Sequence, residues 1–382
     1  MQILADFINS AKGRHFLEAN GVFIDRPTFE EQLRLPAKPD LAGQLNQPNK
    51  KLVCSGQQLY VDYHCSVLSK IEVLQTMAQN DGPFGFFLWV DTDRSGSDNL
   101  ITKFAWPNFS KKGPITIMPP RAGESESRFV ELDQAVLTSA IDKLETYLRQ
   151  YGPPKPGAKE RFRRLRALFV DGEDCMLSAF NLRLTDFLLN GVYGYAPPAF
   201  LLSDMLTRPA FIAEVELFVN NLEPVIARFN EAIETISRQE LDPQVTPLDE
   251  HYFPLFLSCQ ADKQRLRLHH YTAGRDHFAG GRCRCGQTYQ FYLGRQELSL
   301  AEIVQTGRWS PDVCFPIFFN DRVSGFVAGK SSGVYLMVLG AVMRLALAKT
   351  PVPILLPPDL GPASASHSSD EPDSLIYTYL SQ

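Results

Sequence analysis

The run Phe84-Gly-Phe-Phe-Leu-Trp-Val90 is apolar at almost every position. A strand of that kind has no face to give to water, so it must lie inside a sheet covered on both sides. It follows a second apolar segment, Lys51 to Ser55, a turn at Gly56-Gln57-Gln58, and a stretch from Ser66 to Ala78 whose apolar residues (Val67, Ile71, Leu74) recur at helical spacing. Strand, turn, helix, strand is the order of a parallel α/β sheet. The expected fold class is α/β: a Rossmann-like, mostly parallel sheet core with a helical insertion and a small β-hairpin region.

Met1 to Asn20 has a helical pattern, and the proline-rich stretch holding Pro27, Pro36, Pro39 and Pro48 should be irregular. Leu137, Ile141, Leu144 and Leu148 repeat at helical spacing, Lys159 to Leu189 is helical in pattern, and a stripe from Phe211 to Ile233 is interrupted at Pro224. These predict a helical insertion over 131–240, inside a discontinuous core of 1–130 and 241–358. Strands are expected over Phe253–Cys259, Arg265–His269, Thr288–Leu293, Cys314–Phe319 and Pro351–Leu356. A short helix is expected over Leu298–Gln305, and an apolar helix over Gly333–Lys349. Residues 359–382, rich in Ser, Ala, Asp and Pro, read as a polar, solvated tail.

Composition narrows the function classes. The chain has 382 residues, 44% hydrophobic and 21% charged, enough for a sizeable core. Its formal net charge of −5 disfavours nucleic acid as a partner. The longest apolar stretch, Gly333 to Ala348, contains Arg344 and is too short to span a bilayer. Seven scattered cysteines and no secretory pattern at the N-terminus lead to an expected cytoplasmic location. Small-molecule substrates are the expected partners, with a homodimer as one assembly.

Four segments carry candidate chemistry. In Val53-Cys-Ser-Gly-Gln-Gln58 and Asp62-Tyr-His-Cys-Ser66, a glycine turn leads into a helix start whose free N–H groups suit an anion. Gly56, Gln57, Gln58 and Ser66 are candidate nucleotide contacts, and His64 a candidate catalytic donor to a phosphate oxygen; a capped turn explains the same residues. Ser324-Gly-Phe-Val-Ala-Gly-Lys-Ser-Ser-Gly333 misses the phosphate-loop pattern by one position, at Ser324. It would hold Lys330 at a helix start with Gly329 and Ser331 beside it. It is equally similar to the lysine–serine loop of class I aminoacyl-tRNA synthetases, where His64 would match the histidine motif. Past the apolar strand, Asp93 is a candidate for Mg²⁺ or base work, and Trp89, Asp91 and Asp98 are candidate substrate contacts. Acidic turn residues also simply cap. Last, His277 with Cys283 and Cys285 could supply three Zn²⁺ ligands, the fourth being His269, His270 or Cys259; two thiols in a hairpin, or a redox pair, are the other readings. The basic run Lys159 to Arg166 reads as a solvated helix face, with contact to a phosphate-rich partner as the alternative.

Several of these segments together resemble the cysteine-adding enzyme family of bacillithiol biosynthesis. The resemblance rests on Ser55-Gly-Gln-Gln58 followed by a helix bearing Lys70, and on Phe87-Leu-Trp-Val-Asp-Thr-Asp93. It continues through Asp242-Pro-Gln-Val245 to Trp309-Ser-Pro-Asp-Val313, Pro316, Asp321, Gly329 and Tyr335, in the family's order. It implies a Rossmann-like core and a ligase that joins the carboxyl of cysteine to the amine of a sugar-linked acceptor, at the expense of ATP with Mg²⁺. Arg94 stands where the family carries a histidine, and Ser332 where it carries a glutamate. A non-catalytic scaffold and a P-loop-like nucleotide hydrolase are the alternative expectations.

Overall fold

The computed structural model describes residues 2–33, 52–79, 84–96, 99–107, 114–118, 124–151, 155–171, 175–194, 197–312, 323–357 and 372–382. Its centre is a six-stranded sheet built from β1 (Val22–Phe23), β2 (Leu52–Gln58), β3 (Phe84–Val90), β6 (Ala199–Leu201), β12 (Val323–Val327) and β13 (Ile354–Leu355). The strands lie in the order β1-β13-β12-β2-β3-β6, and every neighbouring pair is parallel. A short antiparallel pair, β4 (Glu131–Leu132) and β5 (Cys175–Met176), sits apart from it. A second, antiparallel sheet joins β7 (Tyr252–Ser258), β8 (Arg265–Ala273), β9 (Asp276–Arg282), β10 (Thr288–Gly294) and β11 (Trp309–Pro311), in the order β10-β9-β8-β7-β11. The chain is α/β.

Twelve α-helices lie among the described residues: α1 (Gln2–Asn9), α2 (Ala11–Ala19), α3 (Arg26–Leu33), α4 (Ser66–Gln79), α5 (Gln134–Tyr151), α6 (Ala158–Val170), α7 (Leu177–Tyr193), α8 (Pro209–Val219), α9 (Leu222–Ser237), α10 (Ala301–Gln305), α11 (Lys330–Leu345) and α12 (Leu375–Ser381). The parallel sheet is covered on both faces, as the apolar β3 requires. Val53, Phe87 and Trp89 point into a core made with α4, α5, α6, α7 and α12. Cys54, Leu88 and Val90, one residue out of phase, point into a core made with α8, α9, α11 and the antiparallel sheet. No described helix is long and apolar enough to cross a membrane.

The strand order reverses between β2 and β12. From β2 the chain steps outward to β3 and then β6, whereas β12 lies on the other side of β2 and leads on to β13. Ser55 Oγ donates to the Val327 carbonyl at 2.7 Å and ties the two strands together at that point. In open parallel sheets such a reversal opens a crevice outside the carboxyl ends of the strands.

Several expectations need correction. Gly56-Gln57-Gln58 is strand, paired with Leu88-Trp89-Val90, because the flanking strand is long enough to hold it in the ladder. The 131–240 span, read as helical, contains β6, which extends the parallel sheet beside β3. Pro224 falls in the first turn of α9, where its missing N–H costs nothing, so the stripe divides at Asn220–Asn221. The 359–382 tail ends in a packed helix. Leu375, Ile376, Tyr379 and Leu380 recur at i, i+1, i+4 and i+5 and are buried against the α6–α7 side of the molecule. Ser374 caps that helix, its hydroxyl accepting from Tyr377 N at 3.1 Å. The Cys314–Phe319 strand lies outside the described residues.

Candidate functional site at the carboxyl edge of the parallel sheet

The helix α4 buries Val67, Leu68, Ile71, Val73, Leu74 and Met77, and Lys70 stands on that same buried side. Lys70 is only 8% exposed. Its Nζ donates to the Gly56 carbonyl at 3.2 Å and to Gln57 Oε1 at 3.0 Å, both at the end of β2. On the other side is Gly329, the residue before α11: a Cβ there would stand 3.2 Å from Lys70 Cε. Lys70 therefore sits where the strand order reverses, between the ends of β2 and β12. Both of its acceptors are neutral, and no carboxylate among the described residues pairs with it. Burial pulls its pKa down to about 8, so at neutral pH it remains a buried cation. Two acceptors satisfy two of the three ammonium protons and leave one donor over.

From Lys70 a polar chain runs to the antiparallel sheet. Gln57 Nε2 donates to Gln58 Oε1 at 3.2 Å, Tyr60 Oη donates to the same oxygen at 3.3 Å, and Gln58 Nε2 reaches Asp93 Oδ2 at 3.5 Å. Arg265 Nη1, from β8, donates to Asp93 Oδ1 at 3.2 Å. The Arg265 guanidinium also lies 3.6 Å from Glu126 and 3.7 Å above the Phe256 ring. Glu126 is fully buried and accepts from Arg128 Nε at 2.7 Å and from Ser310 Oγ at 2.6 Å. One atom of this network is left over: Arg265 Nη2 is buried with no partner among the described residues. Burial and the nearby Asp93 together push the Tyr60 hydroxyl up to about 12, so it stays protonated as a donor.

The other expected residues are placed as follows. Trp89 is buried in the core, its ring between Phe87 (4.3 Å) and Tyr63 (5.6 Å). Asp91 turns away from the edge to accept from the Ser203 backbone at 3.0 Å and from the Ser203 hydroxyl; burial raises its pKa. Ser66 opens α4, its carbonyl accepting from Ser69 Oγ at 2.6 Å. His64 faces the segment before α12, with Nδ1 3.1 Å from Asp373 Oδ2. Gly329 caps α11, its N–H donating to Ser332 Oγ at 2.9 Å. Lys330 and Ser331 begin α11, and Asp98 lies outside the described residues. The structure thus brings Gly56, Gln57, Gln58, Asp93 and Gly329 to one edge, and places His64, Trp89 and Asp91 in other contacts.

Two contributors were not picked out as catalytic or binding residues from sequence. Lys70 occupies a position of an apolar helical stripe (67, 70, 74, 77), and a lysine there is the signal that could have revealed it. Arg265 offers no local signal, since it reaches Asp93 through the pairing of two distant segments.

The thiols assemble elsewhere. Cys283 and Cys285 meet Cys259 and Asp262 in a group whose sulfur and oxygen atoms all lie within 4.8 Å of one another. His277 is not in that group; its Nδ1 is 3.0 Å from His270 Nε2. Six residues of extended chain carry it about 20 Å from Cys283. No family model matches the chain, and no curated protein does.

Proposed function

We propose that the protein binds a small acid, a carboxylate or a phosphate ester, at the carboxyl edge of its parallel sheet, with Lys70 as the charge that receives it. The observation that carries this reading is the buried ammonium of Lys70 at the reversal of strand order, held by two neutral acceptors and with no carboxylate partner among the described residues. A buried cation is costly without an anion beside it, and a ligand that supplies the anion recovers that cost on binding. Gly329, without a side chain, lets the start of α11 come close to the ammonium, a Cβ there standing 3.2 Å from Lys70 Cε, and that helix start adds backbone donors of the kind that bind phosphate. Gln57 and Gln58 would orient the ligand by hydrogen bonds.

On this reading the core is Rossmann-like and the reaction is the one its resemblance implies. A cysteine-like carboxylate would attack ATP to form an acyl phosphate with release of ADP, or an acyl adenylate with release of pyrophosphate. The amine of a small sugar-linked acceptor would then displace phosphate or AMP and lose a proton as the amide forms. Lys70 would stabilise charge developing on the activated carboxylate, and Asp93, held by Arg265 and Gln58, would orient the acceptor amine. The described residues suit a nucleotide's phosphate better than a Mg²⁺ ion. Asp91 is taken up by Ser203, and Asp93, already facing the Arg265 cation, is a poor site for a second cation such as Mg²⁺.

A second reading is a binding protein without turnover. It is favoured by the same carboxylates and by His64: each is engaged by a protein partner and none stands free as a general base.

Calorimetry on the full chain with ATP, AMP and cysteine tests the site. Binding of at least one of these acids is expected, weakened about tenfold or more in Lys70→Met. No binding to the wild-type chain at millimolar ligand, or equal binding to both, overturns the proposal. Mass spectrometry for an amide product after mixing ATP, cysteine and an amino sugar separates the two readings.

A further inference from the structure

The ends of two hairpins in the antiparallel sheet each form a tight turn that begins at a cysteine. The first, Cys259-Gln-Ala-Asp262, follows β7. Cys259 N donates to Gln264 O at 2.8 Å, Lys263 N returns to Cys259 O at 3.0 Å, and Lys263 adopts a left-handed φ of 62°. The second, Cys283-Arg-Cys285-Gly286, follows β9. Cys283 N donates to Gln287 O at 2.8 Å, Gly286 N returns to Cys283 O at 3.0 Å, and Gly286 has φ 95°.

The two turns face each other. Cys259 Sγ and Cys285 Sγ are 3.6 Å apart, and Cys283 Sγ is 3.2 Å from both Asp262 oxygens. A tetrahedral Zn²⁺ with bonds of about 2.3 Å to sulfur and about 2.0 Å to oxygen requires ligand–ligand edges of about 3.5–3.8 Å. The Cys259–Cys285 and Cys283–Asp262 spacings lie within tenths of an ångström of those edges, and every other pair lies within 4.8 Å, so the ligands must draw in by about 1 Å at most. Arg308 steadies the first turn by donating to the carbonyls of Ser258 and Cys259.

From these turns we infer a structural zinc site in which Cys259, Asp262, Cys283 and Cys285 bind one Zn²⁺. Three thiols and a carboxylate favour zinc over the harder Mg²⁺ and Ca²⁺. Four protein ligands close the coordination shell and leave no open position, so the ion holds the hairpins together and does no chemistry. Each cysteine releases its proton to solvent as its sulfur bonds the metal. The site is independent of the reading of the sheet edge.

The test is metal analysis of the full chain, purified under reducing conditions without chelator and reconstituted with Zn²⁺. About one equivalent per chain is expected for the wild type and for Cys175→Ser, whose thiol lies outside the cluster. Less than roughly 0.1 equivalent is expected for Cys283→Ser and for Cys285→Ser, the latter at an exposed position that leaves folding intact by circular dichroism. Cobalt added to the wild type should give the visible bands of a tetrahedral thiolate complex, and none in Cys285→Ser. A wild-type chain that takes up no zinc, a Cys285→Ser chain that keeps a full equivalent, or intact-mass data showing only a Cys259–Cys285 disulfide each overturns the assignment.

Discussion

The Lys70 ammonium donates to Gln57 Oε1 at 3.0 Å, and no carboxylate among the described residues stands beside it. Replacing Lys70 with Met removes a buried charge and leaves an apolar side chain of similar length in an apolar stripe. At pH 7 the variant should be more stable than the wild type by about 2 kcal/mol. The folded chain holds this amine at about 8 against an ordinary 10.5, so between those values the unfolded chain binds the extra proton. Wild-type stability should therefore rise with pH from about 8 to 10.5, and the gap to Lys70→Met should close. Urea melts of both proteins across that range check the prediction; a constant gap would remove the argument for a strained ammonium.

Glu126 is the shared anion of Arg128 and Arg265. Glu126→Gln keeps the shape but removes the charge and leaves two shielded guanidiniums against each other. A loss of about 3 kcal/mol is expected. Because Arg265 also holds Asp93, ligand affinity at the sheet edge should fall as well. Melts and calorimetry on the one variant measure both.

Asp62 is fully buried and gathers the chain around it. Its oxygens accept from Tyr63 N (2.9 Å), Ala105 N (2.9 Å), Trp106 N (3.3 Å), Ser374 Oγ (2.8 Å) and Ile376 N (3.1 Å). Asp62→Asn puts an NH₂ where donors already point and should cost about 2–4 kcal/mol. Burial raises the Asp62 pKa to about 6 in spite of these donors. The folded chain then binds the proton more tightly than the unfolded one, so this residue's contribution to stability falls as pH rises from about 4 to 6. Melts at pH 4, 5 and 6 should show that slope in the wild type and lose it in Asp62→Asn.

His64 and Asp373 face each other with more than half of each side chain in solvent, 57% and 63% exposed. Asp373 raises the histidine pKa, and the histidine lowers that of the carboxyl. The pair stabilises the fold below the ordinary histidine value of 6.5 and loses that contribution as pH rises through the elevated one. At the acid end it is lost as pH falls through the depressed Asp373 value. Solvent screening keeps its worth below about 1 kcal/mol. His64→Ala should melt within that margin and bind ligand as the wild type does; a large loss of ligand binding would return His64 to the site.

The legible parts of the sequence were those written in local pattern. Phe84–Val90 could only be an interior strand, and α4 announced itself by spacing. The carboxyl edge followed from both, which is why Gly56, Gln57, Gln58 and Gly329 were named. Arg265 could not be, because its partner Asp93 lies 172 positions away and reaches it only through packing of the two sheets. His277 was grouped with Cys283 by nearness in sequence, yet an extended strand turns such nearness into distance. Asp262 was missed for the converse reason: it is 21 positions from Cys283, but the hairpins fold back and bring them together. The closing helix was hidden by composition, since the Ser- and Asp-rich residues before it dominate any average over 359–382.

The bond from Ser55 to Val327 has a consequence for how the molecule is made. It joins positions 272 apart at the centre of the sheet, while β1 must wait for β13. During synthesis β2 and β3 can pair early, but the edge facing β12 stays open until the chain has been translated past Val327. A nascent chain of this design exposes a long apolar edge for much of its time on the ribosome, and its dependence on chaperones should be set by that interval.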